Sequence, residues 1–272
     1  MTNPKDKINL TYLFVGLVVS FLLVPCVSLA SDKELAGDNV MRVGVSTTAP
    51  PLISKQGSKV VGLEAELARE FGKFIGKSVT FVEVPWKDQI TALLESRTDI
   101  IMSGMTITKA RKYRIAFSKP YLTTGQIALV RKEAKTQIPM PGFNGIYAWA
   151  PIVTMGVVKG TTGEFFVNKS FNNAKKIVSF KTAKEAAAAL KKKWIQGYEI
   201  DVLIYDAPMI YNLASENEGE LVPLPTLLTE EDLAWGMRKD DVELLESANK
   251  FIEHMKKEGK LTPVIKRWIP FK

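Results

Sequence analysis

Short apolar runs alternate with segments of helical periodicity from residue 41 to residue 268, and this rhythm restricts the fold more than any other feature of the chain. Residues 41–45, 79–84, 100–102, 126–131, 153–158, 176–180, 202–205 and 233–238 are the runs of strand length. Between them, residues 63–75, 87–96, 183–194, 207–214, 242–257 and 263–268 read as helices, with a helix start at 106–112 and another helix after Gly163. Leu63, Leu67, Phe71 and Phe74 show the spacing most clearly. Glu66 and Arg69 face away from that stripe, Glu64 and Glu70 flank it, and Gly76 stops the helix. Strands alternating with helices predict an α/β fold on mostly parallel sheets. The blocks part into two groups near residue 130. In open α/β sheets ligands bind beyond the carboxyl ends of strands, which points at the residues after 45, 102, 158 and 205.

Two stretches stand outside the rhythm. Lys5 and Lys7 precede an apolar run at 13–24, Pro25 ends it, and Ser28-Leu29-Ala30 supplies small residues. This is the three-part pattern of a secretory signal, with cleavage expected after Ala30 and a signal peptide over 1–30. A retained membrane anchor is the alternative, although the run falls short of the roughly 20 residues a span needs. Cys26, the only cysteine, lies within the segment, and Pro25 before it suits a lipoprotein signal badly. Cleavage at Ala30 would leave no disulfide, thiol nucleophile or cysteine metal site. The second stretch, 137–150, carries Pro139-Met140-Pro141-Gly142 and reads as an exposed loop.

The net charge is +8 with a pI near 9.3. Nucleic-acid binding would need basic residues gathered on one face, often with aromatics. The densest cluster, Lys191-Lys192-Lys193 before Trp194, reads as the solvated end of a helix with the tryptophan packed inward. No nucleic-acid partner is expected; attraction to acidic ligands or an anionic membrane surface stays open.

Three turns could carry ligand chemistry. After residue 102, Gly104 lets the backbone approach a ligand, Thr106 offers a hydroxyl and an N–H near a helix start, and Arg111 can fold back as a planar fork. Together they suit a carboxylate; equally, Arg111 pairs with a surface acid and Thr108 is only a cap. Gly160-Thr161-Thr162-Gly163 forms a second turn, either an anion cradle or a plain helix cap, and lacks the P-loop spacing. Asp206 follows a buried strand, where it meets a ligand ammonium or caps the next helix. Catalysis finds little support. His254, the only histidine, faces away from the apolar stripe of its helix. That leaves no Ser-His-Asp or Cys-His constellation, and no metal-ligand cluster or cofactor motif is legible.

Asp99 through Thr108, Arg111, and Ile115-Ala116-Phe117-Ser118-Lys119-Pro120-Tyr121 together resemble the family 3 extracellular solute-binding proteins, the periplasmic receptors of polar amino-acid ABC transporters. So do Val61-Gly62-Leu63-Glu64, the Gly160-Thr161-Thr162 turn, 201–206, and Lys256 through Leu261 with Trp268. The resemblance covers nearly all of 41–268. It implies a type II periplasmic-binding-protein clamp of two lobes, with lobe 1 at 39–126 plus 235–272, lobe 2 at 127–234, and two hinge strands. It implies that Gly104, Thr106 and Arg111 hold a ligand carboxylate, that Asp206 takes the ammonium, that Gly160 and Thr161 add contacts, and that Trp86 forms an aromatic wall. Where many members carry an acid and an aromatic, this chain has Ser46 and Ala49, which lowers the charge and aromaticity of the pocket. The function implied is capture of an amino-acid-like ligand by an exported, periplasmic monomer that serves a membrane ABC permease, with a tethered form as an alternative. Two other readings rest on the same clamp. One is a dehydratase of the cyclohexadienyl type, with Glu164 as its nearest acid; the other is a ligand-sensing subunit of a signalling system.

Overall fold

The computed structural model describes residues 39–138, 142–192, 194–195 and 198–270. The signal segment and Cys26, residues 139–141, Lys193 and the side chain of Trp194 lie outside the described residues. No helix among the described residues is long and apolar enough to cross a membrane.

The fold is an α/β clamp of two lobes, each built on a five-stranded sheet. The first sheet runs Ser78–Glu83, Val40–Val45, Ile100–Ile101, Gly236–Met237, Ala116–Phe117. Its first three strands are parallel, and Gly236–Met237 is antiparallel to both neighbours. The second sheet runs Lys176–Phe180, Thr154–Val158, Val202–Asp206, Gln126–Arg131, Leu221–Leu224. Here Gln126–Arg131 is the reversed strand. Each reversed strand follows closely on a chain crossing. Leu122–Thr124 leads to Gln126–Arg131, and Glu231–Leu233 leads to Gly236–Met237. The two crossing segments pair antiparallel with each other, Thr124 opposite Glu231.

Leu63–Phe74 packs its apolar stripe on the first sheet, and Val242–Lys257 comes back to the same lobe. Phe71 stands 5.6 Å from the Trp235 ring and 5.4 Å from that of Phe251, ring centre to ring centre. Truncating an aromatic at such a centre costs about 3–5 kcal/mol. Aromatic burial therefore holds the last helices against the first sheet's helix Leu63–Phe74.

Five expectations change. The helix expected at 183–194 ends at Lys191, and Trp194–Ile195 is a strand. The 137–150 stretch is not a loop throughout: Gly142–Trp149 is a helix. It buries Ile146 and Trp149, and Phe143 lies 5.2 Å from the Phe171 ring. Phe143, Ile146, Tyr147 and Ala150 keep helical spacing, which the preceding proline and glycine residues obscured. The run 233–238 is two strands, Glu231–Leu233 and Gly236–Met237, because the chain changes sheets within it. Residues 87–96 divide into a tight turn, Trp86–Asp88, and a helix, Gln89–Leu94. Glu64 does not merely flank its helix stripe; it is completely buried. His254, in contrast, is exposed as expected, with its ring 5.7 Å from that of Phe74.

Candidate ligand-binding site

The turns beyond the strand ends of the two sheets meet at one cavity. Ser46, Trp86, Gly104, Thr106, Arg111, Thr161 and Asp206 all contribute to its wall, together with Ala49, Thr48, Ser103 and Tyr205. Gly160 is not in that wall; its carbonyl accepts a bond from the Trp86 indole at 2.9 Å, which joins the lobes directly.

On the first lobe, Ser46 follows Val40–Val45 and its N–H donates to Ser103 Oγ at 2.8 Å, tying two strand ends together. Gly104 adopts φ +67°, which a side chain would resist, and an added Cβ would stand 2.7 Å from a methyl of Leu52. Its N–H is already committed: it donates to Glu64 Oε1 at 2.8 Å. Glu64 therefore braces the turn from the core. Burial pushes its carboxyl up to about 7, against the pull of the Tyr121 hydroxyl, the Gly104 N–H and the Trp235 indole.

Thr108 does cap the helix Lys109–Arg114, accepting from Arg111 N. That role leaves the Arg111 side chain free to turn inward. Its Nη1 donates to the Thr106 carbonyl at 2.8 Å, and its guanidinium lies 5.2 Å from the centre of the Trp86 ring. Burial lowers its pKa, and the carboxylates that offset this are Asp206 and Glu231, not a surface acid. The fork is thus stacked, bonded on one edge and aimed at negative charge.

On the second lobe, Thr161 is a helix cap for Thr162–Ser170, accepting from Glu164 N while its hydroxyl donates to the Val158 carbonyl. Glu164 accepts from Gly160 N at 2.8 Å and from Ser179 Oγ, and it does not line the cavity. Asp206 stands at the cap position of Ala207–Glu216 but makes no capping bond with its side chain. Its carboxylate, in a residue only 6 % exposed, instead accepts from Gln126 Nε2, the residue directly opposite on the neighbouring strand. Burial first, then repulsion from Glu231, pushes the Asp206 carboxyl up to about 7, while Gln126 and Arg111 pull it down.

Gln126, Glu64 and Glu231 were not singled out as site residues from the sequence, and Thr162 was named there only within the 160–163 turn. Glu231, on a crossing strand, accepts from Thr106 Oγ1 of one lobe at 3.0 Å and from Thr162 Oγ1 of the other at 2.7 Å. Gln126 Nε2 donates to it as well, at 3.1 Å. Glu230-Glu231 in a polar stretch carries no pattern that separates it from a solvated acid. The pairing of Gln126 with Asp206 depends on strand register. Among the described residues no cluster of acids, cysteines or histidines has metal-binding geometry.

A model of the bacterial extracellular solute-binding proteins, family 3, matches residues 41–271. The arginine-binding extracellular protein ArtP of Bacillus subtilis is 26% identical over 259 residues, covering 94% of this chain and 96% of that protein. The histidine-binding periplasmic protein of Escherichia coli K12 is 27% identical over 266 residues, covering 94% and 97%. Among solved structures, the ancestral amino acid-binding protein AncCDT-1, a precursor of cyclohexadienyl dehydratase, superposes with a TM-score of 0.75 at 31% identity, covering 85% of this chain and 95% of that one.

Proposed function

We propose that this chain, which belongs to the bacterial extracellular solute-binding proteins of family 3, is an exported receptor that captures a small amino-acid-like ligand by hinge closure and hands it to a membrane ABC permease. One observation carries the reading. A guanidinium from the first lobe and a buried carboxylate from the second, Arg111 and Asp206, line the same cavity. A ligand carboxylate meets the stacked fork of Arg111, and a ligand ammonium meets Asp206. Thr106 stands beside the first of these contacts. Each contact strengthens as the lobes exclude water, so the zwitterion favours the closed form.

The lobes divide at 39–126 plus 235–272 and 127–234, with the paired segments Leu122–Thr124 and Glu231–Leu233 as the hinge. The signal at 1–30 is removed after Ala30, and the mature protein acts as a monomer outside the cytoplasm. A dehydratase on the same clamp would need an acid poised over the ligand. Glu164, its nearest candidate, is held by Gly160 and Ser179 away from the cavity wall, which favours the receptor.

Isothermal titration with a panel of amino acids tests the proposal. Binding heat without product by mass spectrometry is the expected result, and Arg111→Ala should abolish it while the melt of the free protein barely moves. Undiminished affinity in Arg111→Ala would overturn the assignment of the site, and product formation would overturn the receptor reading.

A further inference from the structure

Glu231 lies on one of the two crossing segments, opposite Thr124 of the other, and is half-buried. Both of its carboxylate oxygens are engaged, each by a different part of the molecule. Oε1 accepts from Thr229 Oγ1 at 2.9 Å and from Gln126 Nε2 at 3.1 Å. Thr229 Oγ1 in turn accepts from Gln126 N at 2.9 Å. This oxygen is thus anchored at the root of the second sheet, where strand Gln126–Arg131 begins. Oε2 accepts from Thr106 Oγ1 at 3.0 Å and from Thr162 Oγ1 at 2.7 Å, one hydroxyl from each lobe.

A hydroxyl has one proton to give. Thr106 and Thr162 both spend theirs on the same anionic oxygen, a stronger acceptor than either hydroxyl is for the other. Their own oxygens stand 3.5 Å apart, the outer limit of a hydrogen bond. Oε2 can keep both partners only while these two side chains remain adjacent. Rotation about the crossing segments carries the turn after residue 102 away from the start of helix Thr162–Ser170, and one of the two bonds then breaks. Glu231 moves little in that rotation, because it lies on the crossing itself and its other oxygen is anchored. The Trp86 indole adds a second link between the lobes, to the Gly160 carbonyl. Every one of these bonds joins groups of the chain itself.

Resting on the hinge closure proposed above, we infer that Glu231 is the positioning residue for that closure: a carboxylate on the hinge that ties Thr106 to Thr162 and so populates the closed form before a ligand binds. The ligand then selects a form already present. Less of its binding free energy goes into bringing the lobes together, and the apparent affinity rises accordingly.

A distance measurement on the ligand-free protein tests the inference. Lys112 and Lys169 are exposed, on the helices Lys109–Arg114 and Thr162–Ser170 that start on the two sides of the junction. Lys112→Cys and Lys169→Cys in a Cys26→Ser background accept spin labels, and pulsed electron resonance reads the spread of their separations. The labelled parent should show a compact population. Glu231→Ala should shift the ratio of compact to extended forms about tenfold toward the extended, the scale of one charge-assisted bond lost. Thr162→Val, nearly unchanged in shape, should shift it in the same direction, and it keeps the test intact if Glu231→Ala folds poorly. The double variant should go no further than Glu231→Ala alone, because both changes remove one link. A parent with only the extended separation, an unchanged ratio in either single variant, or shifts that simply add would overturn the inference. No ligand enters this measurement, so an amino-acid panel that failed to bind would sink the receptor reading without deciding the role of Glu231.

Discussion

The backbone N–H of Gly104 donates at 2.8 Å to Oε1 of Glu64, an acid with no exposed surface. A turn that lines the cavity is therefore held from behind by a group that ionises reluctantly, and stability must depend on pH through it.

Unfolded, Glu64 titrates near 4.5; folded, burial pushes it up to about 7. Between those values the folded chain holds a proton that the unfolded chain has lost. Stability therefore falls as pH rises through this window and levels off above it. A rise from 4.5 to about 7 corresponds to roughly 3 kcal/mol. Glu64→Gln keeps an acceptor for Gly104 and removes the titration. In urea melts at pH 5 and pH 8, the wild type should lose more stability between the two than the variant does. Parallel losses would show that Glu64 is not the titrating group.

Asp206 follows the same sign, from 3.8 to about 7, but it also meets the ligand in the proposed site. Asp206→Asn removes a buried charge that burial and Glu231 both disfavour. The free protein should melt higher at pH 8, by about 2–4 °C for each kcal/mol recovered. Ligand affinity in the same variant should fall by about a hundredfold, the loss expected when a buried charge contact to the ligand is removed. A lowered melt with affinity intact would assign Asp206 to structure alone.

Trp86 joins the lobes through its indole N–H, which reaches the Gly160 carbonyl, while its ring lies against Arg111. Trp86→Phe keeps an aromatic ring over the guanidinium and removes the donor. Loss of one such bond should weaken ligand binding about five- to tenfold. Stopped-flow measurements should place the change in dissociation, because the bond exists only when the lobes are together. A change confined to association would contradict this role.

Gly125 lies between the crossing segment Leu122–Thr124 and the strand Gln126–Arg131, and a Cβ there would come 1.9 Å from the Thr229 carbonyl oxygen. The obstacle is backbone, so the two crossing segments would have to separate. Gly125→Ala should cost about 2–4 kcal/mol in denaturant melts. Gly57, with φ +60° and open space around it, is the control, and Gly57→Ala should cost about 1 kcal/mol. Equal costs would mean that the crossing tolerates the wider spacing.

What could be read in advance divides along physical lines. The strand–helix rhythm is local, so the α/β class and most elements were legible. Arg111 and Asp206 were legible as candidates because a cation after one strand and a buried acid after another are costly without a purpose. The residues that organise them were not. Gln126 meets Asp206 through register, and Glu231 meets Thr106 and Thr162 only because the chain crosses between lobes there. Glu64 hid at the edge of a helical stripe, where one step of rotation separates solvent from core. Helix Gly142–Trp149 hid behind the proline and glycine residues that precede it.

The strand Gly236–Met237 sits inside the first sheet, between Ile100–Ile101 and Ala116–Phe117. During synthesis, the slot it fills must stay vacant until nearly the whole polypeptide has emerged. The amino-terminal lobe cannot finish folding early, however quickly its local segments form, because its closing contacts span more than a hundred residues of intervening chain.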